Sequence, residues 1–372
     1  MTNRSDRMSI HQIRVVALPA FRNFSRNPYN ALLSRSLQEL GAVVGEFTWF
    51  FRQMKGVDIL HVHWPDVIAS SRFGFVSALR SSLFLLQVER LQARGASVVW
   101  TVHNSRPHDS PHQWLWGLYW PWFLKRLSGV IFLTETSRLA ALAAVPELRS
   151  VPYAVIWHGH YRPVLGAMPG RAQARARLDL PMKATILLHF GQIRPYKNVP
   201  ALLRAFLSLG HANTVLVVAG GIKEGTGLDE EIRHLAGGRP DVRLELRYLP
   251  QERLTDYLAA ADLIVLPYRD ILNSGGLLMA LSAGRPVLCP AVGSIPEVAA
   301  AVGPGWVRCF ADKMGSADLA AAIEQPAPPG EPDLSRCDWD IIARQHLEFY
   351  AKVIDARRPV ESRFGAETGG AT

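Results

Sequence analysis

The sequence contains few cysteines and has no long apolar run. Its 372 residues include three cysteines, Cys289, Cys309 and Cys337, which are scattered and form no CxxC pair. This spacing argues against a disulfide scaffold and a cysteine-ligated zinc site, and it is typical of a reducing compartment. No stretch approaches the roughly 18 apolar residues that span a bilayer, and the polar segment 1–12 does not resemble a signal peptide. We therefore expect a cytoplasmic protein.

Acidic residues are outnumbered by basic ones, 32 against 41, which gives a formal net charge of +9. A basic chain can bind nucleic acid, an anionic membrane surface or a phosphorylated ligand. The sequence has no zinc-finger, helix-turn-helix or RNP pattern, so we expect no nucleic-acid partner. The other two possibilities stay open at this point.

Apolar, β-branched runs alternate with helical segments along most of the chain. This alternation predicts an α/β fold with parallel sheets covered on both faces. The pattern restarts at residue 184, after a stretch over 162–182 rich in Arg, Ala and Pro that we interpret as a linker or an arm. Two Rossmann-like, doubly wound domains facing a cleft follow from this, with ligands at the carboxyl ends of the strands.

The domain boundaries follow from the same pattern. We assign residues 1–165 to an N-terminal domain and 182–330 to a C-terminal domain, with a last helix over 337–355 and a disordered tail over 356–372. The predicted strands are 13–21, 58–64, 97–104, 129–135, 153–161, 184–191, 214–221, 242–249, 262–268 and 286–290. The predicted helices of the second domain are 198–209, 228–236, 251–260 and 275–283.

The stretch 266–288 combines a strand end, a small-residue turn and a helix start. Unpaired backbone N–H groups and the positive end of the helix dipole meet there, and they favour an anion. Glycine would let a ligand approach the backbone closely. The residues that we expect to bind a phosphate or diphosphate are Asn273, Ser274, Gly275 and Gly276.

Two cations, Arg194 and Lys197, lie in the loop FGQIRPYKN after a predicted strand. Arginine offers a bidentate fork and lysine a point charge, so together they can clamp a diphosphate. An exposed turn with two solvated charges is the alternative, and the anion-binding helix start in the same half favours the clamp. The glycine-rich segment 219–227 is not GxGxxG, so it does not predict a dinucleotide site.

Histidines and carboxylates follow the strands of the first half. They are His61, His63 and Asp66 in one segment, His103, His108 and Asp109 in the next, and His158 and His160 in the last. A group of either kind beside a cleft could act as a general base. A histidine at a strand end is also common as a hydrogen-bonded core residue, and that alternative stays open for each of them.

Two further motifs have simple structural explanations. Asp338 and Asp340 spell DxD at the start of the last helix, where acids favour the helix dipole, and we predict no metal site there. The segment 112–127 holds four tryptophans followed by Lys125 and Arg126. It suits a membrane interface, and an aromatic core stripe is the alternative.

The order of these motifs resembles the GT-B glycosyltransferases. The second half carries FGQIRPYKN (190–198), the stretch 266–288, VGPGW (302–306) and PDLSRCDW (332–339). The first half carries NPY (27–29), LHVHWPD (60–66), VHNSRPHD (102–109) and HGHYR (158–162). Within that class, the chain is similar to the GDP-mannose-dependent β-mannosyltransferases of xanthan-type exopolysaccharide assembly, from about residue 13 to 355.

The resemblance implies a two-domain transferase that needs no metal and no cofactor. Its C-terminal domain would bind the nucleotide sugar, with Arg194, Lys197 and the 274–276 turn neutralising the diphosphate as it leaves. Gly191, Tyr268 and Glu297 would contact the nucleotide or the sugar, with capping of the following helix as the alternative for Glu297. The acceptor, a polyprenol-linked oligosaccharide, would meet Asn27, Tyr29, His63, His108, His158 and His160 in the N-terminal domain, which the last helix would cross back to join.

One departure from the pattern concerns the stereochemical outcome. Retaining GT-B enzymes usually carry two glutamates eight positions apart, and alignment places them at Ile271 and Met279, neither of which is acidic. This favours inversion, in which a single base acts on the acceptor hydroxyl. Our first choice for that base is Asp66, followed by His103 and Asp109.

The sequence therefore predicts an inverting transferase that makes a β-mannoside on a lipid-linked exopolysaccharide precursor. We expect it to lie on the inner face of the plasma membrane as a peripheral protein. A GT-B transferase with another donor, such as UDP-glucose, is the first alternative. An inactive sugar-nucleotide-binding or scaffold subunit is the second, and the intact pair of Arg194 and Lys197 argues against it.

Overall fold

The computed structural model describes residues 13–49, 54–104, 113–222 and 225–357. The described chain forms two compact units: one up to Gly159 together with the residues from Cys337 onward, and one from His160 to Arg336. Residues 160–165, assigned above to the first domain, thus belong to the second unit. Each unit contains one six-stranded sheet in which every pair of neighbouring strands is parallel. The α/β class and the two domains with parallel sheets predicted from the sequence are confirmed.

The sheet of the first unit has the strand order β2-β1-β3-β4-β5-β6. Its strands are β1 (Arg14–Leu18), β2 (Val43–Glu46), β3 (Ile59–Val62), β4 (Ser97–Val102), β5 (Gly129–Phe132) and β6 (Tyr153–Val155). Its helices are α1 (Tyr29–Glu39), α2 (Gly74–Ala93), α3 (Gln113–Leu124), α4 (Glu135–Ala144) and the last helix of the chain, α13 (Trp339–Arg357). Helix α13 packs against α1.

The sheet of the second unit has the order β12-β11-β10-β7-β8-β9. Its strands are β7 (Thr185–Phe190), β8 (Thr214–Ala219), β9 (Val242–Glu245), β10 (Leu263–Val265), β11 (Val287–Pro290) and β12 (Val307–Phe310). Its helices are α5 (Arg162–Leu165), α6 (Arg171–Arg177), α7 (Val199–Leu207), α8 (Leu228–Ala236), α9 (Gln251–Ala260), α10 (Gly275–Ser282), α11 (Ile295–Ala301) and α12 (Ser316–Glu324). The central strands β7 and β8 are almost wholly buried, which explains their continuous apolar runs.

Three sequence predictions are wrong in detail. The strands β2 and β12 were missed because both are short edge strands that lack a continuous apolar run. The strand predicted over 153–161 ends at Val155. The stretch 162–182 is not a linker, because it forms α5 and α6.

A buried arginine explains why α6 forms in a stretch that has a polar composition. Arg175 forms a 2.6 Å ion pair with Asp262 and donates hydrogen bonds to the backbone oxygens of Ala260, Met182 and Ala184. These contacts hold α6 against α9. In the parts of the chain that the structure describes, no helix combines the length and the apolar content needed to cross a membrane.

Candidate active site

The loops after β7 and β8 approach each other at two glycines. Gly191 has a φ of +91° and Gly220 a φ of +156°, and a Cβ on Gly220 would collide with the backbone oxygen of Gly191. The N–H of Gly191 donates to Ala219 O at 3.0 Å, and the N–H of Ile193 donates to Gly221 O at 2.8 Å. The glycine-rich segment after β8 therefore fixes the start of the loop that carries Arg194 and Lys197.

The same loop is also bonded to the segment that precedes α10. The N–H of Arg269 donates to Tyr196 O at 2.9 Å, and its Nε donates to Asn198 Oδ1 at 3.0 Å. Asn198, the residue just before α7, adopts the left-handed conformation, with a φ of +57°. The two segments that the sequence analysis singled out separately are thus joined directly by hydrogen bonds within the second unit.

Helix α10 begins at a capping serine. The Ser274 hydroxyl accepts from the N–H of Leu277 at 3.0 Å and lies 3.4 Å from the Tyr268 hydroxyl. A Cβ on Gly276 would stand 2.8 Å from that hydroxyl, and one on Gly275 would stand 3.2 Å from the Tyr161 hydroxyl. Both glycines therefore have a packing role beside two tyrosines, which the sequence analysis did not anticipate.

Lys197 is held close to these groups. Its Nζ lies 5.9 Å from the centre of the Tyr268 ring and 3.3 Å from where a Gly191 Cβ would be. Desolvation, reinforced by the charge of Arg194, lowers the pKa of Lys197 to about 8. A desolvated ammonium beside a second cation gains most from a multiply charged anion, and a diphosphate supplies that charge.

The turn before α11 fixes the other side of the α10 approach. Gly293 has a φ of +55°, and a Cβ there would collide with the Ile271 oxygen. The N–H of Ser294 donates to Leu272 O at 3.0 Å, so residues 271–272 are pinned immediately before Asn273. Glu297 follows in the first turn of α11 and is partly buried.

Five histidines of the first unit lie in or beside its core, and we call them the histidine cluster: His61, His63, His103, His158 and His346. Nδ1 of His63 lies 3.2 Å from Nε2 of His103, and the rings of His61 and His63 are 4.1 Å apart. Tyr29 contacts the cluster from the side of α1, with its ring 4.3 Å from that of His158.

Burial keeps the histidine cluster uncharged at neutral pH. Desolvation lowers the pKa of each of the five residues, to about 4 for His158 and His346. Neighbouring imidazoles lower the pKa of His61, His63 and His103 further, because like charges repel. Neutral imidazoles of this kind can accept or relay hydrogen bonds without carrying a buried charge.

The candidate bases and acceptor residues occupy different positions in the first unit. Asp66 is partly exposed in the first turn of the short 3-10 helix Pro65–Ala69, three residues after His63. Burial raises the pKa of Tyr119, and the charge of Asp66 raises it further. His103 is partly exposed and stacks on Trp64 with ring centres 4.7 Å apart. The Oδ1 of Asn27 accepts from the N–H of Tyr29, the first residue of α1, at 3.2 Å. His108 and Asp109 lie outside the described residues, and His160 belongs to the second unit.

The structure adds residues from the last helix that the site prediction omitted. Helix α13 contributes His346 to the histidine cluster and places Trp339 and Tyr350 beside it. The Trp339 and Tyr29 rings are 5.7 Å apart. Their spacing of i, i+7 and i+11 marks one helix face and was readable in the sequence. Within the described ranges, no three His, Cys, Asp or Glu side chains are grouped as a metal site would require.

Comparison with known families identifies residues 184–326 with the model described as "Glycosyl transferases group 1". A GDP-mannose:glycolipid 4-beta-D-mannosyltransferase of Xanthomonas campestris is 32% identical over 343 residues, covering 89% of this chain and 90% of that protein. A D-inositol 3-phosphate glycosyltransferase of Streptomyces griseus is 34% identical over 221 residues, covering 54% of this chain and 46% of that protein.

Solved structures match almost the whole chain at low sequence identity. Anabaena HepE in complex with UDP and glucose superposes with a TM-score of 0.61 at 15% identity, covering 92% of this chain and 99% of that one. Sucrose-phosphate synthase from Thermosynechococcus elongatus gives 0.60 at 15% identity, covering 95% and 96%. At this level of identity the likeness concerns the fold.

Proposed function

The chain belongs to the group 1 glycosyltransferases and is a hexosyltransferase, and from this premise we propose that it transfers mannose from GDP-mannose, with inversion, to a polyprenol-linked oligosaccharide precursor of an exopolysaccharide. The Xanthomonas relative supports the donor and the glycolipid acceptor, because its similarity extends over both units of the chain.

The observation that carries the proposal is the bonded pair of loops in the second unit. The bonds of Arg269 hold the loop of Arg194 and Lys197 against the approach to α10. During transfer the bond between the sugar C1 and the diphosphate oxygen breaks, and negative charge develops on the diphosphate. Preorganised cations and backbone N–H groups stabilise that charge without having to reorient, which lowers the barrier.

In an inverting reaction the acceptor oxygen attacks C1 from the side opposite the diphosphate. Its proton passes to a base, the new C1–O bond forms, and GDP leaves in the same displacement. We assign the base to Asp66, a partly exposed carboxylate in the first turn of the 3-10 helix Pro65–Ala69, which follows β3. His103 is the next candidate among the described residues. The neutral residues Ile271 and Met279 supply no carboxylate for a retaining mechanism.

Assays with purified protein and a lipid-linked acceptor test the reaction directly. We expect mannose transfer from GDP-mannose, a β-anomeric product by NMR, and unchanged activity in EDTA. Lys197→Ala should lower kcat about 10²- to 10³-fold, which is the effect of removing one hydrogen-bond donor to a developing oxyanion in other enzymes. Lys183→Ala, an exposed lysine just before β7, is the control. An α-linked product would contradict inversion.

The base assignment needs its own comparison. Asp66→Asn should lower kcat by at least about 10²-fold while the stabilisation by GDP persists. His103→Ala, measured in parallel, tests the second candidate. A near-normal rate for Asp66→Asn together with a large loss for His103→Ala would transfer the role to the histidine.

A different donor is the second candidate function. It is favoured by the structural neighbour HepE, which was solved with UDP-glucose as well as with UDP and glucose. A thermal-shift series with GDP, UDP and ADP distinguishes the two donors, because a ligand that binds only the folded state raises the melting temperature. Binding without transfer to any lipid-linked acceptor would instead indicate an inactive binding subunit.

The proposed acceptor also places the enzyme at a membrane. A polyprenol chain stays in the bilayer, so the transferase would act as a peripheral protein on its inner face, where nucleotide sugars are supplied. The basic net charge of +9 suits an anionic lipid surface.

A further inference from the structure

Helix α2 carries large apolar side chains on its outer side as well as on its inner side. The side facing the protein buries Phe84, Val88 and Leu91 together with the polar residues Ser77, Ser81 and Gln87. The side facing solvent carries large apolar residues at positions i, i+4, i+8 and i+11, namely Phe75, Leu79, Leu83 and Leu86. A surface helix normally turns its apolar stripe toward the core. This arrangement therefore points to a second apolar environment outside the protein.

Two of the buried polar residues of α2, Ser77 and Gln87, donate or accept hydrogen bonds within the unit. The Ser77 hydroxyl accepts from the N–H of Ser71 at 3.0 Å, and Nε2 of Gln87 donates to Trp49 O at 2.7 Å. Rotating α2 to bury the leucines would break these hydrogen bonds.

Helix α3 extends the same surface. Strands β3, β4 and β5 are consecutive neighbours in the sheet, so right-handed connections place α2 and α3 on one face of it. Phe84 packs between them, with its ring 6.2 Å from that of Tyr119. On α3, Trp114 and Leu118 are 61% and 70% exposed, one turn apart. We call these six residues, four on α2 and two on α3, the apolar face.

Basic residues predominate in the segments that carry the apolar face. Residues 70–104 and 113–128 contain six Lys or Arg and a single acid, Glu89, which pairs with Arg126. Arg72, Arg80 and Lys125 of these segments are exposed. Arg126 also lies over the Trp122 ring, 4.2 Å from its centre, an arrangement that suits the boundary between lipid and water.

We infer that the apolar face of α2 and α3 inserts into the surface of an anionic lipid bilayer. Large side chains on one face with arginine and lysine around them are what interfacial helices present to lipid. A second copy of the chain fits less well, because a symmetric contact would bring two sets of these cations together. The inference rests on the proposed function in so far as a glycolipid acceptor requires the enzyme at a bilayer.

Co-sedimentation with vesicles tests the inference. We expect the full chain to bind vesicles of phosphatidylglycerol and phosphatidylethanolamine, and to bind phosphatidylcholine vesicles much more weakly. Leu79→Ser/Leu83→Ser should weaken binding roughly 100-fold, about tenfold for each side chain kept in water. Arg80→Gln/Lys125→Gln should weaken it roughly 20-fold and flatten its salt dependence.

A matched control variant exists in the same unit. Val43→Ser/Ile341→Ser removes two apolar side chains that are 54% and 43% exposed, against 58% and 42% for Leu79 and Leu83. Val43 lies on the edge strand β2, and Ile341 lies on α13, the helix packed against α1. This variant should bind vesicles like the unaltered chain. Equal loss in both double variants would overturn the inference.

Two further measurements separate this inference from the proposed function. Transfer to a water-soluble, short-chain acceptor should be unchanged in Leu79→Ser/Leu83→Ser, because that reaction needs no bilayer. Vesicle binding without any transfer would contradict the proposed function and leave the inference standing. Light scattering on the unaltered chain tests the other occupant: a dimer that these substitutions dissociate, with no vesicle binding, would overturn the inference.

Discussion

The Tyr350 hydroxyl lies 2.7 Å from Nδ1 of His61, and this hydrogen bond ties the last helix of the chain to β3 across 289 positions. Nε2 of the same imidazole lies 2.7 Å from the Thr101 hydroxyl on β4. Both ring nitrogens of a buried histidine are thereby satisfied, which is how a polar ring is accommodated in a core. The bond makes α13 an integral part of the first unit.

Removal of the Tyr350 hydroxyl should lower the stability of the folded protein. We expect Tyr350→Phe to lower the free energy of unfolding by about 1–3 kcal/mol, because His61 Nδ1 would stay buried without its partner. Urea denaturation followed by circular dichroism measures the change. Tyr153→Phe removes a hydroxyl from a half-exposed tyrosine of β6 and should have an effect within about 0.5 kcal/mol. Equal effects of the two substitutions would show that the bond to His61 contributes nothing.

The lowered pKa values of the histidine cluster predict that acid destabilises the folded protein. Because the folded pKa of each member lies below 6.5, the ordinary value for a histidine, the unfolded chain binds more protons at mildly acidic pH. Stability should be fully present above about pH 7 and should fall as the pH drops from 6.5 toward 4, by up to about 1.4 kcal/mol per pH unit for each histidine. Urea midpoints from pH 4 to 8 test this, and His346→Asn should give a shallower slope. A flat profile would contradict it.

The lowered pKa of Lys197 predicts that binding of the sugar nucleotide is coupled to proton uptake. Its pKa of about 8 in the free protein should rise when a diphosphate supplies the opposite charge. GDP binding near pH 8 should therefore take up protons, and affinity should decline as the pH rises above 8. Calorimetry in buffers of different ionisation enthalpy measures the uptake. Lys197→Arg should abolish it, since arginine stays charged throughout this range. Proton release on binding would contradict the assignment.

The sequence predicted best where local chemistry determines the structure. The bounds of α8 and α9 coincide with the predicted segments, because left-handed glycines flank α8 and Pro250 precedes α9. The sequence-based prediction failed where contacts between residues distant in the chain determine the structure, as at α6, whose buried Arg175 pairs with Asp262. In the site, the strand-end rule placed Arg194 and Lys197 on a loop. The bonds of Arg269 to Tyr196 and Asn198 leave no periodic signal in the sequence, and neither does the pairing of Tyr350 with His61.

A comparison of Gly293 with Gly238 distinguishes the effect of a steric collision from that of backbone strain in the second unit. Gly293→Ala should lower the free energy of unfolding by about 3 kcal/mol or more and should abolish stabilisation by GDP, because its Cβ would displace the Ile271 backbone next to Asn273. Gly238→Ala is the matched control, since Gly238 has a similar φ of +69° but open space around its Cβ position. It should cost only about 1 kcal/mol and leave GDP binding intact. Thermal unfolding with and without GDP reports both quantities, and equal losses in the two variants would show that backbone strain alone is responsible.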